Sequence, residues 1–212
     1  MHPSTLSILL IISISFTIIT SAAASKPEII KTDAASLSLG STDYGNIVHH
    51  IPLGVAYPST EKDVVELIRA SHASGEPFAV AARGRGHSVR GQAMAGGGVV
   101  VDMTALGRGK KGRIRIDLEG MYADVGGEQL WVDVLKEATA VGVAPVSWTD
   151  YVYLSVGGTL SNAGIGGQAF VHGPQISNVV ELDVVTGESL ILSHSFSFFY
   201  FVVVVYCLLF IY

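Results

Sequence analysis

The sequence predicts an α+β fold made of two small sheets, and three observations lead there. A strand–helix–strand opening occupies residues 51–82. Three short strands follow between residues 99 and 125, and a second amphipathic helix spans 128–141 ahead of a long glycine-rich stretch. Strands that are grouped, rather than strictly alternating with helices, suit mixed sheets packed against helices.

Taken in order, residues 51–57 read as a strand, and Pro58-Ser59-Thr60 then opens a helix. Thr60 and Asp63 have the spacing of a capping box. Val64, Val65, Leu67 and Ile68 give that helix one apolar face, and Gly75 ends it. Residues 78–82 return as a buried strand, and 99–103, 114–118 and 122–125 are three more. In the helix over 128–141, Trp131, Val134, Leu135 and Ala138 share one face before Gly142 stops it. Residues 143–146 read as a short strand interrupted at Pro145.

The chain has 212 residues, enough for one domain with a sizeable core or for two small subdomains. Eighteen acidic against thirteen basic residues give a formal charge of −5. That balance, with the basic residues scattered, excludes nucleic acid as a partner. Cys207 is the only cysteine, which excludes an intrachain disulfide and a multi-cysteine zinc site; no metal is expected.

Residues 6–19 are almost wholly apolar and lead to Ala22-Ala23-Ala24, the pattern of a signal peptide cleaved near Ala24 or Ser25. Residues 1–24 are therefore expected to direct secretion, and 25–50 to form a lead-in. After Glu188 no Asp, Glu, Lys or Arg appears, and 196–212 is nearly all Phe, Val, Leu, Ile and Tyr. A tail anchor is one explanation. The run is at the lower length limit of a membrane helix, lacks flanking Lys or Arg, and holds several β-branched residues. The preferred explanation is a translated, non-native extension over 189–212 that replaces the real continuation of the protein and stands outside the fold.

Three stretches carry chemistry. Arg83-Gly84-Arg85-Gly86-His87-Ser88 follows a strand, and its glycines let the backbone curl and aim N–H groups at an anion. It is neither a Walker loop, since Gln92-Ala93 replaces Lys-Ser/Thr, nor a Rossmann fingerprint, since Val89 stands where the third glycine belongs. Composition alone leaves a phosphate-binding turn and a purely structural turn equally open. Trp148-Thr149-Asp150-Tyr151 sets a carboxylate among aromatic residues, either a proton acceptor or a turn aspartate bonded to nearby backbone. The stretch from Ser155 to Gly167 is so rich in small residues that it suits backbone lying flat against a large ligand. Gly164, Gly166 and Ala169 also match a loose dinucleotide pattern, but Gly173-Pro174 would stop the required helix at once.

Together these stretches resemble the cytokinin dehydrogenase family, whose FAD domain is of the p-cresol methylhydroxylase type. The matching text is RGRGHSVRGQ from Arg83 to Gln92, residues 99–103, Trp148 to Tyr151, and Leu154 to Asn178 running on through ELDVVTG. The likeness covers about residues 40–188 and makes 51–188 the FAD-binding domain of two small α/β subdomains.

The resemblance implies FAD bound covalently through a ring nitrogen of His87. It implies that Gly84, Arg85, Gly86 and Ser88 hold the pyrophosphate, that Ala82 and Gln92 line the same channel, and that Ser155, Ser161 and Ile165 meet the flavin from the other side. Asp150 carries over as the residue that accepts the proton of the substrate N6-amine, next to the cofactor. The implied reaction cleaves the N6 side chain of a cytokinin to adenine and an aldehyde, with a quinone or oxygen as final acceptor.

The chain is then expected to be a monomer of the apoplast. Val171 departs from the family, which has a basic residue there. Family members are far longer, so the expectation for this chain is a truncated FAD-binding portion, inactive alone. The alternatives are a non-catalytic fragment or a protein tethered to a secretory-pathway membrane through 196–212.

Overall fold

The computed structural model describes residues 28–186, 191–194 and 202–210. The expected signal peptide, and residues 189–190, 195–201 and 211–212 of the apolar tail, lie outside the described residues.

The predicted strand–helix–strand unit builds the first sheet. In chain order its elements are β1 (Ile30–Lys31), α1 (Ala34–Gly40), β2 (Gly54–Ala56), α2 (Glu61–Ala73), β3 (Val80–Arg83) and β4 (Val99–Asp102). The sheet order is β1-β2-β4-β3. β4 runs parallel to both neighbours and is buried at every residue, as the unbroken Val99-Val100-Val101 run requires of a strand covered on both faces. The capping box that starts α2 is present: the Asp63 N–H donates to Thr60 Oγ1 at 3.3 Å, and the Thr60 N–H donates to Asp63 Oδ2 at 2.9 Å. α2 buries Val64, Val65, Leu67 and Ile68 against Ala56, Val99, Val101, Met103 and Leu106. Each such side chain contributes about 1.5–3 kcal/mol of transfer free energy.

The second sheet holds β5 (Ile114–Asp117) and β6 (Tyr122–Gly126). After α3 (Trp131–Ala140), α4 (Val156–Leu160) and α5 (Ala169–His172) come β7 (Val179–Thr186), β8 (Ile191–His194) and β9 (Val202–Phe210). Its order is β5-β6-β9-β7-β8, antiparallel throughout. Trp131, Val134, Val156 and Leu160 pack beneath it with Ala123, Val125 and Leu209. Val185 of β7 reaches instead into the core under α2 and joins the two sheets. A buried ion pair makes a second join. Arg113 meets both carboxylate oxygens of Glu128 at 2.7 Å and reaches Glu61 at the start of α2 at 3.0 Å.

The architecture is the α+β fold expected, with departures that have local causes. Only Gly54–Ala56 of residues 51–57 is strand, since Pro52 has no N–H to give a ladder. The second helix begins at Trp131 rather than residue 128, because Glu128 turns inward to Arg113 and Leu130 forms a β-bridge with Ser155. Residues 143–146 form no strand.

Where the sequence reading sets 189–212 outside the fold, β9 lies in the middle of the second sheet, paired with β6 on one side and β7 on the other. A charge-free run rich in β-branched residues suits a central strand, and the edges of β6 and β7 provide its hydrogen-bond partners. Among the described residues no helix is long and apolar enough to cross a membrane.

Candidate functional site

The glycine–histidine turn leaves the carboxyl end of β3, the side of a parallel sheet on which ligands collect. Arg83, the last residue of β3, is 9% exposed, and its Nη1 donates to Thr42 O at 2.8 Å. Its guanidinium fills the concave side of the turn so closely that a Cβ on Gly86 would collide with it. Gly86 has φ 68°, so both conformation and space demand glycine there. Burial pulls the Arg83 pKa below its ordinary value, while Asp102 and Asp43 pull it back. An arginine keeps its charge through such a shift, so a buried cation underlies the turn.

His87 is half-buried, with Nδ1 3.1 Å from Arg85 O. Its ring stacks on Tyr44 at 4.6 Å between centroids and 19° between planes, and meets Tyr151 at 5.2 Å in a tilted contact. The Tyr44 N–H donates to Ser88 O at 2.9 Å. Ser88 Oγ accepts the Ala93 N–H at 3.4 Å, and Gln92 is exposed with its Oε1 accepting the Arg90 N–H. Ala82 is half-buried in β3. Among the described residues no acceptor meets the backbone N–H groups of Arg85, Gly86, His87 or Ser88. Donors of this kind on a tight turn above a buried cation can hold an anion such as a pyrophosphate.

The second glycine stretch closes on this turn. A Cβ on Gly84 would collide with Ser155 Oγ, so the first segment rests directly on the residue that begins α4. Ser155 is buried, and the Val156 and Gly157 N–H groups donate to Gln129 O and Gly127 O at 2.9 and 2.8 Å. Trp131 Nε1 supports α4 from below by donating to Thr159 Oγ1 at 2.9 Å. Ser161 is exposed and donates from Oγ to Gly157 O at 2.7 Å, while Ile165 stands 69% exposed.

Asp150 is exposed, and its Oδ1 accepts the Gly167 N–H at 2.9 Å. The backbone bond expected of a turn aspartate is therefore present, and it fixes an accessible carboxylate over the glycine stretch. Gly166 lies so close to Trp148 O that a side chain would collide there. α5 ends after four residues at Gly173, as expected from Gly173-Pro174, so the loose dinucleotide match opens no long helix.

Structure thus brings together His87, Gly84, Ser155 and, through Tyr151, the Asp150 segment. Gln92 and Ile165 are exposed. The surroundings of His87 and Ser155 fit FAD, with N–H donors for a pyrophosphate and a bed of small residues for a planar ring system. Two residues of the site escape sequence reasoning, namely Tyr44 and Gln175, and Arg83, read only as part of the glycine turn, is the buried charge beneath it. Gln175 is 1% exposed beneath Gly164, and both polar atoms of its carboxamide lack a partner. Tyr44 carried one usable signal. Asp43-Tyr44-Gly45-Asn46 has turn chemistry, with Asp43 Oδ1 accepting the Ile47 and Val48 N–H groups at 2.8 and 3.0 Å and positive φ at Gly45 and Asn46.

Comparison with known proteins agrees with this geometry. Residues 52–194 match the FAD binding domain family. Cytokinin dehydrogenase 1 of Oryza sativa subsp. japonica is 57% identical over 160 residues, covering 75% of this chain and 30% of that protein. Cytokinin dehydrogenase 4 of Arabidopsis thaliana is 54% identical over 170 residues, covering 75% of this chain and 32% of that protein. The chain therefore spans less than a third of the length of these curated relatives. Among solved structures, 6-hydroxy-D-nicotine oxidase from Arthrobacter nicotinovorans superposes with a TM-score of 0.75 at 21% identity. It covers 92% of this chain and 44% of its own, a likeness of fold.

Proposed function

The chain belongs to the FAD binding domain family and, within it, to the cytokinin dehydrogenases, and on that footing we propose that it is the flavin-seating part of an enzyme that cleaves the N6 side chain of cytokinins to adenine and an aldehyde. The observation that carries this reading is the convergence of the Gly84–Ser88 turn, Ser155 and the Asp150 carboxylate on one surface.

In this reading His87 tethers the cofactor through a ring nitrogen. The N–H groups of Arg85, Gly86 and Ser88, with the close-packed backbone at Gly84, hold the pyrophosphate over the buried Arg83 charge. Ala82 and Gln92 line the same channel, and Ser155, Ser161 and Ile165 meet the flavin from the opposite side. When bound, FAD supplies the two-electron acceptor for hydride leaving the side-chain carbon next to N6. Asp150 takes the N6 proton. The Gly167 N–H on Oδ1 sets the carboxylate's orientation before substrate arrives, which is how positioning lowers a barrier. The electrons that FAD would carry away would pass to a quinone-like acceptor or oxygen. Residues 1–24 act as a signal peptide, which assigns the protein to the extracellular space.

The test is direct. The chain, purified from a secretory host, should begin near Ser25 and carry one FAD per chain, visible as flavin absorbance. Colourless protein that takes up no added FAD would contradict the reading.

A further inference from the structure

We propose that Tyr44 is a positioning residue for flavin attachment, holding the His87 imidazole edge-out by stacking on its face; this rests on the reading of His87 as the attachment site. An imidazole at the tip of a glycine turn is free to rotate about two bonds, and Gly86 on one side gives it no lateral support. Tyr44 removes that freedom. Its ring lies nearly parallel to the imidazole at 4.6 Å, the offset-stacked geometry that aromatic pairs favour.

Tyr44 is itself fixed from three directions. Its N–H donates to Ser88 O, the residue after His87. The preceding Asp43 organises the loop by accepting the Ile47 and Val48 N–H groups. Arg83, beneath Gly86, donates to Thr42 O, one residue further back. The same guanidinium thus supports both partners of the stack, the turn that carries His87 and the loop that carries Tyr44. Tyr44 is 57% exposed, so its ring does little for the core, and its closest aromatic partner is His87.

Attachment forms a bond between an imidazole nitrogen and the 8α-carbon of the flavin. It breaks one C–H and one N–H bond and leaves two electrons and two protons on the ring system as reduced flavin. Dioxygen takes these up as hydrogen peroxide. The step requires the nitrogen lone pair to point at one carbon, and orientation is what the stack supplies.

The experiment follows the appearance of acid-stable flavin after FAD is added to the secreted chain purified without FAD, in wild type, Tyr44→Ala, Tyr44→Leu, Tyr44→Phe and His87→Ala. A stacked aromatic pair corresponds to roughly a two- to twelvefold change in rate. Tyr44→Ala and Tyr44→Leu should slow attachment by that factor, Tyr44→Phe should restore it, and His87→Ala should abolish it. Tyr44→Leu keeps the bulk, so the comparison survives if the alanine variant folds poorly. In the FAD-free chain the His87 ring-proton resonances should sit upfield in wild type and Tyr44→Phe, and move downfield in Tyr44→Leu. Wild-type attachment rates in Tyr44→Leu would overturn the proposal alone. Wild type without any acid-stable flavin would overturn the attachment reading, and the proposal with it.

Discussion

Replacing Gly86 with alanine adds one methyl group at the tightest point of the proposed cofactor seat, and the structure separates its two costs. Gly86 has φ 68°, and an L-residue held there costs about 1–2 kcal/mol. The new Cβ would also strike the guanidinium of the buried Arg83. Arg83 cannot move away freely, because it bonds Thr42 O and lies near Asp102 and Asp43. Forcing a methyl group into such a packed place costs about 1–3 kcal/mol more. Gly97 provides the control. Its φ is 66°, yet nothing lies within 4 Å of an added Cβ, so Gly97→Ala incurs the conformational cost alone.

In urea unfolding, Gly97→Ala should lose about 1–2 kcal/mol and Gly86→Ala about 2–5 kcal/mol. At a slope near 2 kcal/mol per molar, the extra steric cost lowers the midpoint by roughly 0.5–1.5 M relative to the control. Gly86→Ala should also lose FAD that Gly97→Ala retains. Equal midpoints and equal FAD content in the two variants would refute the placement of Arg83 beneath the turn.

Further outcomes follow from the other contacts. In a chimera carrying residues 28–186 within a full-length cytokinin dehydrogenase, Asp150→Asn should keep its FAD but slow flavin reduction by isopentenyladenine about 10²–10⁴-fold; equal stopped-flow rates would remove Asp150 from the chemistry. Glu128→Ala leaves the buried Arg113 with Glu61 as its remaining carboxylate and should cost about 1.5–3 kcal/mol in urea unfolding, whereas the double change Arg113→Met with Glu128→Leu should recover most of it. The Asp43 carboxyl is held below its ordinary value chiefly by the Val48 N–H, with Ile47 adding to it. A depressed folded value means stability that is complete above the unfolded pKa near 3.9 and lost as pH falls through the lower folded value. Acid unfolding followed by circular dichroism should therefore show less pH dependence below about pH 4 in Asp43→Asn than in wild type.

Much of this was legible where the signal is local. The capping box at Thr60 and Asp63, the apolar face of α2 and the stop at Gly173-Pro174 each depend on residues within a turn or two of one another. What escaped depends on partners far apart in sequence. β9 is a strand because β6 and β7 leave a place between them, with Ala123 opposite Leu209, and an isolated apolar run does not reveal such a place. The inward turn of Glu128 answers to Arg113, fifteen residues earlier, and delays the start of α3. The site divides in the same way. The glycine–histidine turn and Asp150 stand out by residue type, but the stack of Tyr44 on His87 joins residues from the lead-in and from the turn after β3. Its only local trace is the turn chemistry of Asp43 to Asn46.

Attachment at His87 is decided by where the flavin sits on the chain. Arg85 and Arg90 bracket His87, so trypsin releases it in the pentapeptide Gly86-His87-Ser88-Val89-Arg90. After the FAD-loaded chain is denatured in acid and digested, flavin absorbance should co-elute with that peptide, with a mass equal to peptide plus flavin cofactor less two hydrogens. Flavin recovered free in the supernatant, or on any other peptide, would contradict the account.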